Sequence, residues 1–142
     1  MRKRIPPILA LDVGTKTIGV AISDELGLCA YPVTTIRRKG VKKDVIAIQR
    51  LLEERRVSKV IVGLPYELDG SEGRSARLAR QIGTAVVDVS GLDVTYVDER
   101  YSSVAAEQQL LAVDMSRARR KQVIDQQAAV VILQSYLDHG AL

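Results

Sequence analysis

The segment between residues 8 and 24 limits what this 142-residue chain can fold into more than any other stretch. Two apolar runs, ILAL and IGVAI, are joined by a short corner that contains Gly14, and this pattern predicts a β-hairpin. The first run is apolar at consecutive positions, which is typical of a strand covered on both faces at the centre of a sheet. Asp12 ends this run, and a carboxylate there is costly unless water, a hydrogen bond or a metal ion compensates its charge.

The corner after Asp12 has two interpretations. Gly14 allows a tight turn and a close approach by an anionic ligand, while Thr15 and Lys16 add a hydroxyl and a cation. Asp12 and Gly14 are also ordinary turn residues, so a purely structural role is equally compatible with this segment taken alone.

Length and composition limit the class of protein. Residues 1–142 are enough for a single domain with a real core. One cysteine, Cys29, and one histidine exclude an internal disulfide and a zinc site made of thiolates or imidazoles. Any metal would therefore be held by carboxylates, which indicates Mg²⁺ or Mn²⁺. The lone cysteine suits a reducing cytoplasm. The basic N-terminus is not followed by a long apolar segment, so we expect no signal peptide and no membrane span.

Hydrophobic periodicity predicts the remaining elements. Strands are predicted over residues 28–36, 57–64 and 94–97, and helices over residues 41–52, 78–86, 104–113 and about 121–139, the last with Gly140 as its C-cap. A basic loop is predicted immediately before the last helix. The order β-β-β-α-β-α-β-α-α predicts an α/β fold in which a mixed five-stranded sheet is flanked by helices.

Carboxylates occupy three places where the local pattern predicts burial. Besides Asp12, the pair Asp98 and Glu99 ends the fifth predicted strand, and ligands gather at the carboxyl ends of parallel strands. At about 100° per residue, Asp125 shares the core-facing side of its helix with Ala128, Ala129, Ile132 and Tyr136. The alternative role for Asp125 is a favourable interaction with the helix dipole in the first turn. Together the three places suggest a site that holds divalent ions.

Basic residues cluster near the predicted element ends, within residues 2–4, 37–43, 74–80 and 117–121. Such loops suit phosphate groups, although basic residues also solvate loop surfaces without binding anything. Carboxylates that hold two metal ions about 3.5–4 Å apart catalyse in-line phosphoryl displacement without a nucleophilic side chain. Because no Ser-His or Cys-His arrangement competes, the pattern favours a metal-dependent nuclease. The candidate phosphate contacts are Lys16, Arg100, Arg117, Arg119, Arg120 and Lys121.

Four segments resemble, in the right order, the motifs of the YqgF/RuvX family of pre-16S rRNA nucleases and Holliday junction resolvases. They are LALDVGTKTIGVAISD, VGLPYELDGSEG, VDERYSS and IDQQAAVVILQSYL, and the resemblance runs from about Ile8 to Leu137. It implies a ribonuclease H-like fold, a bacterial cytoplasmic protein and nuclease activity that depends on Mg²⁺ or Mn²⁺. The substrate it implies is nucleic acid, either the 5′ end of pre-16S rRNA or branched DNA.

The resemblance also implies the site residues. Asp12 and Asp125 match the first and last catalytic metal ligands of the family, and the middle acid falls within residues 98–99. Glu99 is preferred and Asp98 is the alternative, because strand alternation lets only one of the two point towards Asp12.

Two departures from the pattern leave details open. Thr17 occupies a position that is often basic in the family, and residues 63–65 stand where related junction resolvases have an acid, so the metal site can be arranged differently from theirs. The sequence favours neither RNA nor branched DNA. A symmetrical cut of a four-way junction would require a homodimer, whereas a single cut in an RNA precursor would not.

Two other classes of function share some of these features. An Asp-x-Gly-Thr sequence after a strand also resembles the first phosphate motif of actin-like ATPases, but those proteins close two such domains on the nucleotide. A ribosome-assembly factor that binds RNA without catalysis would use the same basic loops. The three acidic places argue against such a factor, because carboxylates repel phosphates unless a metal lies between them.

Overall fold

The computed structural model describes residues 4–65, 69–98 and 117–139, and it describes only the backbone of residues 117–126. Its strands are β1 (Ile8–Val13), β2 (Thr17–Ser23), β3 (Ala30–Arg37), β4 (Lys59–Leu64) and β5 (Asp93–Asp98). Its helices are α1 (Val41–Glu54), α2 (Arg74–Ser90) and α3 (Arg117–His139).

The five strands form one mixed sheet in the order β3-β2-β1-β4-β5. β1 pairs antiparallel with β2, and β2 with β3, whereas β1, β4 and β5 run parallel to one another. The hairpin and the central position of β1 are therefore confirmed. The carboxyl ends of β1, β4 and β5 lie at one edge of the sheet, which we call the carboxyl edge.

Helices cover both faces of the sheet. On one face, the α1–α2 face, Leu9 and Leu11 of β1 join a cluster with buried residues of α1 and α2. On the other, the α3 face, Ala10 packs with residues of α3 that include Ala129 and Ile132. Because successive strand residues point to opposite faces, the consecutive apolar residues of β1 supply both cores. The predicted α/β class and flanked five-stranded sheet are confirmed.

Helix α3 runs antiparallel to β1 and β4. The Lys59 Nζ at the start of β4 donates to the Tyr136 Oη near the end of α3, at 2.8 Å. The side-chain amide of Gln134 accepts from the Ala30 backbone N at 3.0 Å and donates to the Leu28 carbonyl at 2.8 Å, at the start of β3. The C-terminal half of α3 therefore lies at the amino ends of β1 and β4, and its N-terminal half extends towards the carboxyl edge.

The structure corrects the predicted boundaries of three elements. The prediction of a basic loop before the last helix is wrong, because α3 already begins at Arg117. Arginine, alanine, lysine and glutamine are strong helix formers, and no Gly or Pro in this run opposes helix. β1 extends beyond its apolar run and ends at Val13. α2 begins at Arg74, four residues before the first apolar residue of its predicted pattern. The helix predicted over residues 104–113 and the predicted C-cap Gly140 lie outside the described residues.

In the parts of the chain that the structure describes, no helix is long and apolar enough to cross a membrane.

Candidate active site

Asp12 is the next-to-last residue of β1 and is half-buried. It pairs with Gly19 of β2 in the antiparallel ladder, so it is a strand residue and not a residue of the hairpin corner. Ala10, two positions earlier, packs in the cluster under α3. Because strand residues two apart share a face, the Asp12 side chain belongs to the α3 face, at the carboxyl edge.

Glycines flank Asp12 on both neighbouring strands. Gly19 is its partner on β2. On β4, Leu11 pairs with Val62, so Gly63 is level with Asp12. Both glycines are buried and add no side chain to the α3 face, so a ligand or another backbone can approach closely on either side of the carboxylate.

The corner after Asp12 is closed by a backbone hydrogen bond from Gly14 N to the Thr17 carbonyl, at 2.8 Å. A Cβ atom at position 14 would lie 3.1 Å from that carbonyl oxygen, so glycine is the residue that this turn accommodates without strain. The side chains of Thr15 and Lys16 are exposed at the tip of the corner. Lys16 is thus available to a phosphate beside Asp12.

A buried ion pair that the sequence analysis did not predict supports this corner. Arg38 Nε lies 3.0 Å from Asp44 Oδ2, and the two side chains are 10% and 1% exposed. Arg38 Nη1 also donates to the Gly14 carbonyl at 3.1 Å, and its backbone N donates to the Lys16 carbonyl at 2.8 Å. Asp44 lies four residues before Ile48 on the buried side of α1, and that spacing is the signal that could have identified it.

Asp98 lies at the end of β5 but on the opposite face from Asp12. It pairs with Leu64, which belongs to the α1–α2 face, whereas its neighbour Val97 packs on the α3 face. The sheet therefore does not bring Asp98 to the side of Asp12. Glu99, the preferred middle acid, and Arg100 lie outside the described residues.

The backbone of Asp125 lies three turns before Tyr136 in α3. Those 11 residues span about 16 Å of helix, and the four residues from Ile8 to Asp12 span about 13 Å of strand. Since α3 runs antiparallel to β1, position 125 reaches the level of Asp12. It is the ninth residue of α3, so the alternative of a helix-dipole role in the first turn does not apply.

Two acids in the loop after β4 are engaged by neighbours. Asp69 Oδ1 accepts from the Ser71 hydroxyl and backbone N, and these bonds lower the pKa of the Asp69 carboxyl. Glu72 forms a two-point ion pair with Arg80, which lowers the pKa of the Glu72 carboxyl. Neither carboxylate is directed to a ligand in this arrangement.

No group of three His, Cys, Asp or Glu side chains able to hold a metal ion occurs within the described residues. The side chains of Glu99 and Asp125 are outside that set. The same holds for the predicted phosphate contacts at the N-terminus of α3, namely Arg117, Arg119, Arg120 and Lys121, whose backbone is helical.

Solved structures with the same architecture define the fold. The chain resembles Thermus thermophilus RuvC with a TM-score of 0.57, at 14% identity, over 95% of this chain and 97% of that chain. It resembles a Fowlpox virus resolvase, solved in complex with Holliday junction DNA, with a TM-score of 0.53, at 13% identity, over 93% of this chain and 97% of that chain. At these identities the likeness establishes the fold, which is the predicted ribonuclease H-like fold.

Sequence relatives identify the family. The profile of the RuvX family, described as Holliday junction resolvase, matches residues 6–139. A Myxococcus xanthus protein is 49% identical over 130 residues, which are 92% of this chain and 86% of the relative. A Clostridioides difficile protein is 48% identical over 131 residues, which are 92% and 93% of the two chains. Both relatives are named "Putative pre-16S rRNA nuclease". The chain belongs to the RuvX family of nucleases, and the resemblance of its four motifs is confirmed.

Proposed function

We propose that this chain hydrolyses phosphodiester bonds of nucleic acid at the carboxyl edge of its sheet, with Asp12, Glu99 and Asp125 as the catalytic carboxylates. One observation carries the proposal above the others. The half-buried Asp12 faces the α3 side of the sheet between Gly19 and Gly63, and the N-terminal half of α3 extends to the same level. A half-buried carboxylate needs its charge compensated, and a bound metal ion would supply that compensation.

The chemistry of these donors fits a hard divalent cation, because carboxylate oxygens are the ligands that Mg²⁺ and Mn²⁺ prefer. Asp12, Glu99 and Asp125 would hold the ions. When bound, such ions supply an activated water and stabilise the charge on the leaving oxygen. The contribution of the protein is to fix the first carboxylate in a rigid strand and to keep the adjacent ladder positions free of side chains.

Cations around the carboxylates would position the substrate. Lys16 lies exposed at the corner that follows Asp12, and its backbone is fixed by Arg38. Arg100, Arg117, Arg119, Arg120 and Lys121 complete the proposed set of phosphate contacts. Phosphate contacts of this kind set the register of the strand without reading its sequence.

The names of the relatives suggest two substrates. Several relatives are named for pre-16S rRNA, and the family description names Holliday junctions. We therefore propose cytoplasmic processing of the 5′ end of pre-16S rRNA, resolution of four-way DNA junctions, or both. The second activity would require a homodimer, because two symmetrical cuts need two sites.

The test is a cleavage assay with the wild type, Asp12→Asn and Asp125→Asn, and with Asp138→Asn as a matched control. Asp138 is an exposed carboxylate near the other end of α3. Each protein receives a labelled four-way DNA junction and an RNA with an unprocessed 5′ leader, in Mg²⁺, in Mn²⁺ and in chelator. We expect metal-dependent cutting by the wild type and the control, and folded but inactive Asp12 and Asp125 variants.

Other outcomes would contradict the proposal. Binding without cutting in every condition would favour a non-catalytic assembly factor. An Asp12→Asn variant that fails to fold, by circular dichroism, would assign Asp12 a structural role in the hairpin. The substrate that the wild type cuts faster would indicate its main task.

A further inference from the structure

A second cationic surface lies beside the candidate active site. Arg37 at the end of β3, Lys39 in the following loop, and Lys43 and Arg50 on α1 have exposed side chains and line one shallow groove of about 380 Å³. We call these four residues the cationic edge. We propose that the cationic edge binds the phosphate backbone of a double-helical arm of the substrate, next to the phosphate that is cut. This inference rests on the proposed nuclease function.

The cationic edge is continuous with the corner that follows Asp12. Arg37 pairs with Thr17, the first residue of β2 after the corner. The next residue, Arg38, donates its backbone N to the Lys16 carbonyl. The groove therefore begins beside Lys16 and continues away from the catalytic face along α1, where a substrate arm would leave the site.

The four cations of this surface form no ion pair with any residue that the structure describes. Asp44 also borders the groove, but its carboxylate is paired with Arg38 and accepts the Lys39 backbone N at 2.9 Å. The groove consequently offers four positive charges to an anionic ligand, which is the electrostatic pattern of a phosphate-binding surface.

The backbone of this surface is held by contacts within the protein. The buried Arg38–Asp44 pair connects the first turn of α1, the loop after β3 and the Gly14 carbonyl. Because the backbone of the loop is already held in place, binding does not require the loop to be ordered first. Only the exposed cationic side chains have to adopt one conformation.

The composition of the groove indicates the class of nucleic acid. Surfaces for single strands place aromatic side chains under successive bases, and this groove contains none among the described residues. Its apolar members are aliphatic, and they include Ile36 and Ile46. Lys43 and Arg50 are seven residues apart on α1, about 10 Å, so the two cations can contact separate phosphates of one strand. The groove therefore fits a continuous phosphate backbone.

The test compares Lys39→Gln/Lys43→Gln with the charge-matched control Arg55→Gln/Arg56→Gln. Arg55 and Arg56 are exposed and follow the opposite end of α1, about 20 Å away. Binding of a DNA duplex and of a single strand is titrated in chelator over a range of salt concentrations. We expect the Lys variant to lose on the order of tenfold in duplex affinity, with a salt slope smaller by about 0.9 for each lost phosphate contact.

Equal losses in the variant and the control would overturn the proposal, because binding would then follow net charge alone. An equal loss of single-strand affinity would overturn the assignment to a duplex. Cleavage supplies an independent readout. On a substrate with a long duplex arm, we expect the Lys variant to have a higher KM and an unchanged kcat. On a substrate without that arm, we expect it to match the wild type. If the wild type binds but does not cut, the nuclease proposal fails while the titration still tests the cationic edge.

Discussion

Asp12 lies between two ladder positions that carry no side chain. Gly19 and Gly63 flank it on the neighbouring strands, and any larger residue would extend over the same face of the sheet. Glycine is unfavourable in a strand interior and often marks the close approach of a ligand or of another backbone, and both glycines here are buried beside the carboxylate.

The strand register separates the two candidates for the middle acid. Asp98 belongs to the α1–α2 face, so Asp98→Asn should keep cleavage within about tenfold of the wild type, whereas Glu99→Gln should lose a hundredfold or more. We expect the larger loss for Glu99→Gln because removing a group that only hydrogen-bonds to a metal ligand already lowers metal affinity or activity about 10–100-fold. Both substitutions preserve size, so single-turnover cleavage rates compare the carboxylates directly. A larger loss in Asp98→Asn would make Asp98 the ligand.

Between elements, the Arg38–Asp44 pair connects the β1–β2 corner, the β3–α1 loop and α1. No local pattern joins these segments, because the corner is separated by more than 20 residues from the arginine that holds it. The pair is buried, so each charge depends on the other for compensation. It supports both the position of Lys16 and the backbone of the cationic edge.

Removal of one member of this pair should destabilise the protein strongly. Arg38→Met leaves a buried carboxylate without its partner, and we expect a loss of about 3–5 kcal/mol in the free energy of unfolding. The double variant Arg38→Met/Asp44→Leu should be more stable than Arg38→Met alone, because no unpaired charge remains buried. Urea unfolding measures both, with the exposed neighbour Arg37→Met as a control that should change stability by less than about 0.5 kcal/mol. Asp44→Leu alone completes the comparison, and a double variant that loses the sum of the two single losses would show that the two residues are not coupled.

At the scale of the whole molecule, basic segments on two separate elements lie near the carboxyl edge of the sheet. Lys16 and the start of the cationic edge lie on one side of it, and the backbone of the N-terminal segment of α3 extends towards it on the other face. The net charge of +4 is modest, so their local concentration matters more than the total. We expect these groups to attract phosphate to the proposed site.

Replacement of Arg119 and Arg120 by Gln should weaken binding to all nucleic-acid sequences alike, because phosphate contacts carry no base information. The salt slope for duplex DNA should fall by about 0.9 for each contact that is lost. In combination with Lys39→Gln/Lys43→Gln, the losses in binding free energy should add, since the two groups are on different elements and share no partner. Unchanged affinity in the Arg119/Arg120 variant would remove the start of α3 from the binding surface.

Local sequence patterns determined much of this protein. The apolar runs around Gly14 predicted the hairpin, the consecutive apolar residues of β1 predicted its central position, and the order of elements predicted the mixed sheet. Four motifs, in their order along the chain, were enough to indicate the family. These features are readable because strand and helix periods, and turn residues, act over only a few neighbouring positions.

The tertiary structure decided what depends on contacts between distant segments. Pairing of β5 with β4 assigned Asp98 to the face opposite Asp12, and pairing of β1 with both neighbours brought two glycines beside the carboxylate. Folding also gave Arg38 and Asp44 a shared buried position, and it extended α3 through residues that the sequence suggested were a loop. Side chains alternate along a strand in the same way with any neighbouring strand. The register is therefore fixed only when the sheet is assembled, and the register decides which face each side chain of the site occupies.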